Sequence, residues 1–172
     1  MKNLLVIVDF QNDFINGSLG FEKAKFLEPI ILEKYEKYLK NNDDIIFTFD
    51  LHYDDYLDTL EGQKLPIKHC INETYGAKAY KKFDDLAKNH LCFYKNTFGS
   101  LELGNYLANK DYANIEIVGL VSNICVLSNA VIIKAAKPNT RIFIDKNATA
   151  SYDEDLHNKA LDILKNLHID II

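Results

Sequence analysis

Short apolar runs alternate with amphipathic stretches along the whole chain. Residues 4–8 (Leu-Leu-Val-Ile-Val) are apolar at every position, which is typical of a strand buried on both faces of a parallel sheet. Residues 21–39 instead place apolar side chains at the i, i+3, i+4 spacing of one helical stripe. That stripe consists of Leu27, Ile30, Ile31, Tyr35 and Tyr38. The alternation predicts an α/β protein with helices on both faces of a sheet.

The same pattern predicts six strands and five helices. We expect the strands at residues 4–8, 45–49, 91–94, 115–120, 141–144 and 169–172. We expect the helices at residues 21–39, 78–89, 101–108, 124–136 and 154–167, and a long functional loop at residues 50–77. These elements form a Rossmann-like three-layer α/β/α fold around a central, mostly parallel six-stranded sheet. Its 172 residues suit a single domain spanning residues 1–172.

Charge and cysteine content narrow the class of function. A net charge of −5 argues against a nucleic-acid surface, and the apolar run at residues 4–8 is too short to cross a membrane. Arg141 is the only arginine, so a site that grips dianions is not expected, and a neutral or weakly charged substrate is. The three cysteines lack framework spacing, which predicts reduced thiols in a cytoplasmic protein.

Chemically capable side chains stand where the predicted strands end. Asp9 follows the first strand, Asp50 and His52 follow the second, and Lys95 follows the third. Cys125 lies just past the fourth strand, at the start of a predicted helix. Because ligands of parallel α/β sheets bind outside the carboxyl ends of the strands, we expect these residues to share one rim.

Cys125 is the candidate nucleophile of this rim. A thiol at a helix N-terminus lies in the positive end of the helix dipole, which favours the thiolate, and Lys95 would lower its pKa further. Asp9 could take the thiol proton and return it to a leaving amine. Taken alone, Cys125 could equally be an inert packing residue of a buried helix.

A second group combines carboxylates and imidazoles. Asp50 and His52 form a D-x-H pair, His69 follows later, and Glu61 lies in the loop between them. One carboxylate oxygen and two imidazole nitrogens suit zinc, iron or manganese, with Glu61 as a possible fourth ligand. The alternative is a set of solvated loop residues.

Three segments together resemble the isochorismatase-like cysteine hydrolases, a family that includes the nicotinamidases. They are residues 8–14 (Val-Asp-Phe-Gln-Asn-Asp-Phe), 95–100 (Lys-Asn-Thr-Phe-Gly-Ser) and 119–126 (Gly-Leu-Val-Ser-Asn-Ile-Cys-Val). The resemblance implies a catalytic triad of Asp9, Lys95 and Cys125. It also implies a cis peptide before Val121, with the amides of Val121 and Cys125 as an oxyanion hole.

The resemblance extends to the nicotinamidase branch. Asp50-Leu51-His52 and Pro66-Ile67-Lys68-His69-Cys70 look like its two metal motifs, which implies one divalent ion, zinc first, with iron or manganese as alternatives. The ligands would be Asp50, His52, His69 and Glu61. Phe14 matches a residue that packs on the substrate ring, and Leu65 occupies the neighbourhood of a tryptophan common in that branch, whereas this chain has no tryptophan.

These motifs predict a metal-assisted cysteine amidohydrolase, a nicotinamidase, acting on a small amide through a Cys125 thioester. A related amidase for another small amide or ureido compound is the alternative, and a catalytically inactive binding protein is a third. The apolar content is compatible with a homo-oligomer, and neither nucleic acid nor a membrane is expected as a partner.

Overall fold

The computed structural model describes all 172 residues and contains one six-stranded sheet. All pairings in it are parallel, and the spatial order is β3-β2-β1-β4-β5-β6. The strands are β1 (Leu4–Val8), β2 (Asp44–Asp50), β3 (Leu91–Lys95), β4 (Asn114–Leu120), β5 (Arg141–Ala150) and β6 (Asp170–Ile171). The order reverses direction between β1 and β4, which is the switch point where ligands of such sheets bind.

Helices cover both faces of the sheet. They are α1 (Asn12–Ile15), α2 (Glu22–Lys25), α3 (Leu27–Lys40), α4 (Leu60–Lys64), α5 (Phe83–Ala87), α6 (Leu101–Ala108), α7 (Leu127–Ala136) and α8 (Glu154–Asn166). A 3₁₀ turn (Tyr56–Asp58) precedes α4, and a π turn (Ser122–Val126) precedes α7. None of the helices is both long and apolar enough to cross a membrane.

Alternate residues of the central strand feed two separate cores. Leu5 and Ile7 pack with the buried side of α3, whereas Leu4, Val6 and Val8 pack with α6, α7 and α8. All five side chains are fully buried, as the continuous apolar run predicts for a strand covered on both faces. The three-layer α/β/α fold is therefore confirmed, with every strand parallel.

The helix predicted over residues 21–39 is wrong in one respect, because it is two helices with a break at Phe26. Pro29 is the third residue of α3. A proline ring clashes with the carbonyl group four residues earlier, here that of Lys25, so one continuous helix cannot pass through both positions. Pro29 is tolerated because it lies in the first turn of a new helix.

The helix predicted over residues 78–89 is also shorter, at Phe83–Ala87. Residues 79 and 80 instead pair with the segment that follows β1. Gln11 and Ala79 form an isolated antiparallel bridge, and the amide of Tyr80 donates to the carbonyl of Phe10 at 2.9 Å. The predicted loop at 50–77 contains α4 and the 3₁₀ turn, and β5 runs six residues beyond the strand predicted to end at residue 144.

Candidate active site

The carboxyl ends of four neighbouring strands bring the predicted reactive residues together. Asp50 ends β2 and is paired in register with Lys95, which ends β3. Asp9 directly follows β1, and Cys125 lies in the π turn that follows β4. All four side chains are buried. Residues far apart in the sequence thus meet on one rim of the sheet, as their positions at strand ends predict.

Lys95 stands between Asp9 and Cys125. Its Nζ lies 2.6 Å from Asp9 Oδ2 and 3.9 Å from Cys125 Sγ. The hydroxyl of Thr48, on β2, donates to Asp9 Oδ1 at 2.7 Å, so each carboxylate oxygen of Asp9 has one fixed partner. Thr48 was not predicted, because a threonine within a strand carries no sequence signal for this contact.

Burial controls the charges of this group. Removal from water raises the pKa of the Asp9 carboxyl, and the Lys95 ammonium opposes that rise without cancelling it. Burial disfavours the charged form of Lys95, but the carboxylates of Asp9 and Asp50 raise its pKa. At neutral pH the arrangement therefore contains a firmly protonated lysine beside a carboxylate of increased basicity.

Burial acts against the thiolate that the helix start favours at Cys125. It raises the pKa of this thiol well above its ordinary value, the charge of Asp9 adds to the rise, and Lys95 partly offsets it. Desolvation and two nearby carboxylates therefore oppose the helix dipole and the lysine. The attacking thiolate depends on a base that takes the proton from Cys125.

The nucleophile turn has an unusual backbone. The peptide between Leu120 and Val121 is cis, which confirms the cis bond implied by the resemblance. The carbonyl of Val121 accepts from the amides of Ile124 at 3.0 Å and Val126 at 3.1 Å, which closes the π turn around Cys125. Gly119, which directly precedes Leu120 of the cis peptide, adopts a φ of 113°, a conformation that favours glycine.

The four predicted metal-ligating residues also converge. One donor atom from each of Asp50, His52, Glu61 and His69 lies within 4.8 Å of the others. Asp50 Oδ2 is 3.0 Å from His52 Nε2 and 3.3 Å from His69 Nε2, while Glu61 Oε1 is 3.6 and 3.7 Å from the same two nitrogens. The cluster is an acidic and imidazole site of the kind that binds a divalent metal.

The surroundings of the cluster fix its donors. His69 Nδ1 lies 2.8 Å from the carbonyl of Ile67, so Nδ1 carries the proton and Nε2 is left as a donor atom for a metal. The Tyr56 ring packs against His52 and His69 with centroid distances of 4.7 and 5.0 Å. Its hydroxyl donates to the carbonyl of Leu65 at 2.9 Å. Tyr56 is fully buried and therefore supports the imidazoles from behind.

Polar residues after β1 hold the start of the 50–77 segment and the backbone beside His69 in place. The side chain of Gln11 makes two hydrogen bonds of 2.8 Å with the backbone of Asp50, one donated to its carbonyl and one accepted from its amide. Asp13 Oδ2 accepts from the amide of Cys70 at 2.7 Å. Sequence reasoning missed both roles, because neither residue is close in sequence to the segment that it anchors.

One cavity of about 390 Å³ joins the two groups. Asp50, Glu61 and His69 line it together with Cys125 and Val121. The predicted substrate-contacting residues Phe14 and Leu65 both line it. Five lining residues were missed, and they are Leu19, Gly20, Phe98, Ile124 and Tyr152. A second cavity of about 380 Å³, between α3, β5 and α8, contains none of the reactive residues.

The chain has clear similarity to known proteins. The isochorismatase domain family matches residues 3–172. A Bacillus subtilis relative described as an uncharacterized isochorismatase family protein, PncA, is 27% identical over 96% of both chains. The crystal structure of nicotinamidase PncA from B. subtilis has a TM-score of 0.84 and 30% identity over 99% of both chains. That of pyrazinamidase/nicotinamidase from Streptococcus mutans has a TM-score of 0.85 and 27% identity, over 99% of this chain and 100% of the other.

Proposed function

The chain belongs to the isochorismatase domain family, and from that premise we propose that it is a metal-assisted cysteine amidohydrolase that converts nicotinamide and water to nicotinate and ammonia. One observation carries the proposal. A single cavity is lined by Cys125, whose sulfur contacts Lys95, and by three of the four residues of the metal-ligating cluster. A small molecule with a ring and a carboxamide could therefore contact the cysteine and the cluster at once.

The cavity lining favours a neutral aromatic substrate. Eight of its twelve lining residues are hydrophobic, and its volume lies within the range of small-molecule sites. Phe14 is in contact with His69 at a ring-centroid distance of 5.7 Å, so a flat ring entering beside the cluster would meet an aromatic wall. The similar chains of B. subtilis and S. mutans are described as nicotinamidases, which supports the same substrate here.

The donor set fits one divalent metal. Asp50, His52 and His69 would bind it, with Glu61 as a fourth ligand, and the nitrogen–oxygen donor set suits zinc, with iron or manganese as alternatives. When bound, the ion would supply a Lewis acid that attracts the ring nitrogen of nicotinamide and so orients the amide. The chain's own part is to present Asp50 by the Gln11 hydrogen bonds and to fix the His69 ring by the Ile67 carbonyl.

The first half-reaction forms a thioester. Cys125 Sγ attacks the amide carbon while its proton passes to Asp9, whose raised pKa makes it a better base. We place the developing oxyanion against the amides of Val121 and Cys125, at roughly 3–4 kcal/mol per donor. Asp9 then protonates the amide nitrogen, the carbon–nitrogen bond breaks, and ammonia leaves. Lys95 stays protonated throughout and holds Asp9 in place.

The second half-reaction releases the acid. Asp9 removes a proton from a water molecule, whose oxygen attacks the thioester carbon, and the carbon–sulfur bond breaks. The departing thiolate takes the proton back from Asp9, which restores the resting thiol. Nicotinate is released, and its carboxyl proton passes to solvent. Asp9 therefore handles one proton in each direction within each half-reaction.

The experiment that tests the function is incubation of the metal-replete protein with nicotinamide, with nicotinate and ammonia measured together. We expect equal amounts of both, no turnover by Cys125→Ala, and a strong loss of turnover with chelator. The absence of nicotinate from the metal-replete protein would refute the nicotinamidase assignment. Ammonia released from a ureido compound instead would support the alternative amidase.

A catalytically inactive binding protein is distinguished by the thiols. In an active hydrolase, iodoacetamide should modify Cys125 faster than Cys70 or Cys92, because its sulfur lies 3.9 Å from the Lys95 ammonium, and Asp9 beside that lysine can take up the thiol proton. Equal rates would favour the inactive protein. The single domain over residues 1–172, the cytoplasmic location, the homo-oligomer and the absence of nucleic-acid and membrane partners stay predictions.

A further inference from the structure

Asn129 links two segments of the active site that the sheet alone does not hold together. It lies on α7, four residues after Cys125, and is fully buried. Its Nδ2 donates to the carbonyl of Cys125 at 2.9 Å and to the carbonyl of Phe98 at 3.1 Å. Its Oδ1 accepts from the amide of Ser100 at 3.0 Å. Both amide hydrogens and the oxygen of the Asn129 side chain thus take part in hydrogen bonds.

These bonds join the loop after Lys95 to the nucleophile turn. Residues 96–100 connect the end of β3 to α6, and Phe98 within them lines the cavity. No other hydrogen bond connects these residues to the segment from Val121 to Asn129. Asn129 therefore supplies the hydrogen-bonded link between the loop after Lys95 and the turn that holds Cys125, whose Sγ lies 3.9 Å from Lys95 Nζ.

The close approach of residues 96–100 to α7 also supports a link between this loop and the nucleophile turn. A Cβ on Gly99 would overlap the side chain of Ile132 and contact Ser128, so the loop rests directly on the helix at this glycine. That contact brings the carbonyl of Phe98 and the amide of Ser100 within reach of one asparagine side chain. Packing and hydrogen bonding thus fix the loop at the same place.

We infer that Asn129 is a positioning residue, which holds Lys95 and the aromatic wall at Phe98 in register with Cys125. This inference rests on the proposed cysteine chemistry, and it names a residue outside the triad and the metal ligands. Asn129 touches neither the substrate cavity nor the reacting atoms. It acts through the backbone on both sides of the thiol–lysine contact.

The test compares variants of the metal-replete, full-length protein. Asn129→Leu keeps the approximate volume and removes all three hydrogen bonds, whereas Asn129→Asp keeps the acceptor for Ser100 and removes both donors. Ser100→Ala is the matched control. It deletes the side-chain cap of α6, a 3.1 Å bond from the amide of Leu103, and leaves the backbone amide that Asn129 contacts.

The primary measurement is the rate at which iodoacetamide modifies Cys125, with Cys92 in the same molecule as an internal reference. We expect both Asn129 variants to slow Cys125 modification by about 10-fold or more, with Cys92 changed less than about two-fold and Ser100→Ala within about two-fold of wild type. The turnover number for nicotinamide should fall by a similar factor, with KM changed less than about three-fold.

Modification of Cys125 at the wild-type rate or faster in a folded Asn129 variant would overturn the inference, because Asn129 would then only close the structure around the thiol. Thermal unfolding identifies the variants that fold, and Asn129→Asp decides the question if Asn129→Leu does not. Wild-type protein that makes no nicotinate would refute the proposed substrate, while the modification rates would still decide the role of Asn129.

Discussion

Replacing Lys95 by methionine removes one positive charge from between two buried carboxylates. Lys95 Nζ lies 2.6 Å from Asp9 Oδ2 and 3.7 Å from Asp50 Oδ1. The side chains of the three residues are 4%, 0% and 5% exposed, in that order. Methionine has a similar length and fills the same space, so the change tests the charge rather than the packing.

The expected loss of stability follows from this burial. Breaking a buried ion pair by removing one partner costs about 3–5 kcal/mol, because the remaining charge has no compensation. For a domain of this size, about 2–4 °C of Tm correspond to each kcal/mol, which gives a decrease of about 6–20 °C. Turnover should fall by at least about 10²-fold, since Asp9 loses the cation that orients it for proton transfer.

Lys34 provides a matched control, because it also bridges two carboxylates. Its Nζ lies 2.7 Å from Glu116 Oε1 and 2.8 Å from Asp145 Oδ2, on the α3 side of the sheet and outside the active-site cavity. Lys34→Met should therefore lower Tm while turnover stays within about two-fold of wild type. Its Tm decrease should be the smaller one, because Lys34 and Asp145 are each 18% exposed.

The two variants are compared by thermal unfolding and by nicotinate release from the metal-replete proteins. Stability loss in both, with activity lost only in Lys95→Met, is the expected result. Lys95→Met with a tenth or more of wild-type turnover would refute the role of the lysine in catalysis. Equal losses of turnover in both variants would show that instability, rather than the missing charge at Asp9, causes the inactivity.

Three further predictions concern the metal, the ion pair between Lys34 and Asp145, and the backbone at Gly119. Metal at 100 times its Kd should stabilise the protein by about 2.7 kcal/mol, which raises Tm by about 5–11 °C. His69→Ala should abolish this shift, as measured by thermal scans with and without chelator. A shift of the same size in the variant would contradict the assignment of His69 as a ligand. Burial opposes ionisation of Asp145, but hydrogen bonds from Lys34 outweigh it and lower the pKa of this carboxyl below 3.8, so its stabilising effect is present above that pH and is lost as the pH falls further. The loss of unfolding free energy caused by Asp145→Asn, measured by urea unfolding, should therefore shrink between pH 7 and pH 3. A loss that grows toward low pH would show that the ionised form of Asp145 does not stabilise the fold. Gly119→Ala should cost more than about 3 kcal/mol in the same measurement, because φ is 113° and a Cβ would overlap the carbonyl of Val8; an alanine variant as stable as wild type would disprove the close approach of β1 and β4.

The sequence predicts those parts of the fold whose signal is local. The run at residues 4–8 and the helix at residues 101–108 match their observed bounds, since apolar periodicity alone determines both. The segment around residue 80 does not match, because its backbone hydrogen bonds go to Phe10, seventy residues earlier. The break at Phe26 was within reach of sequence reasoning, because Pro29 marks it.

The active site likewise contains residues that the sequence predicts and residues that it does not. Asp9, Asp50, Lys95 and Cys125 could be placed on one rim, because the ends of parallel strands share an edge. Gln11 and Asn129 could not be assigned, because an amide side chain that bonds to distant backbone leaves no periodic pattern. The rise in the pKa of Cys125 could not be predicted for a related reason, since a pKa depends on the sum of burial and every nearby charge.

The route of the chain around the cavity has a consequence for how such an enzyme can diversify. Three of the four metal-ligating residues, and Leu65 with them, belong to the single excursion between β2 and β3, whereas Cys125 is held by elements on the other side of β1. Insertions or exchanges within that excursion can therefore reshape substrate recognition without displacing the sulfur. Changes in the excursion can thus alter the metal-ligating part of the cavity, while Phe14, Phe98 and Tyr152, which come from other segments, continue to line the rest of it.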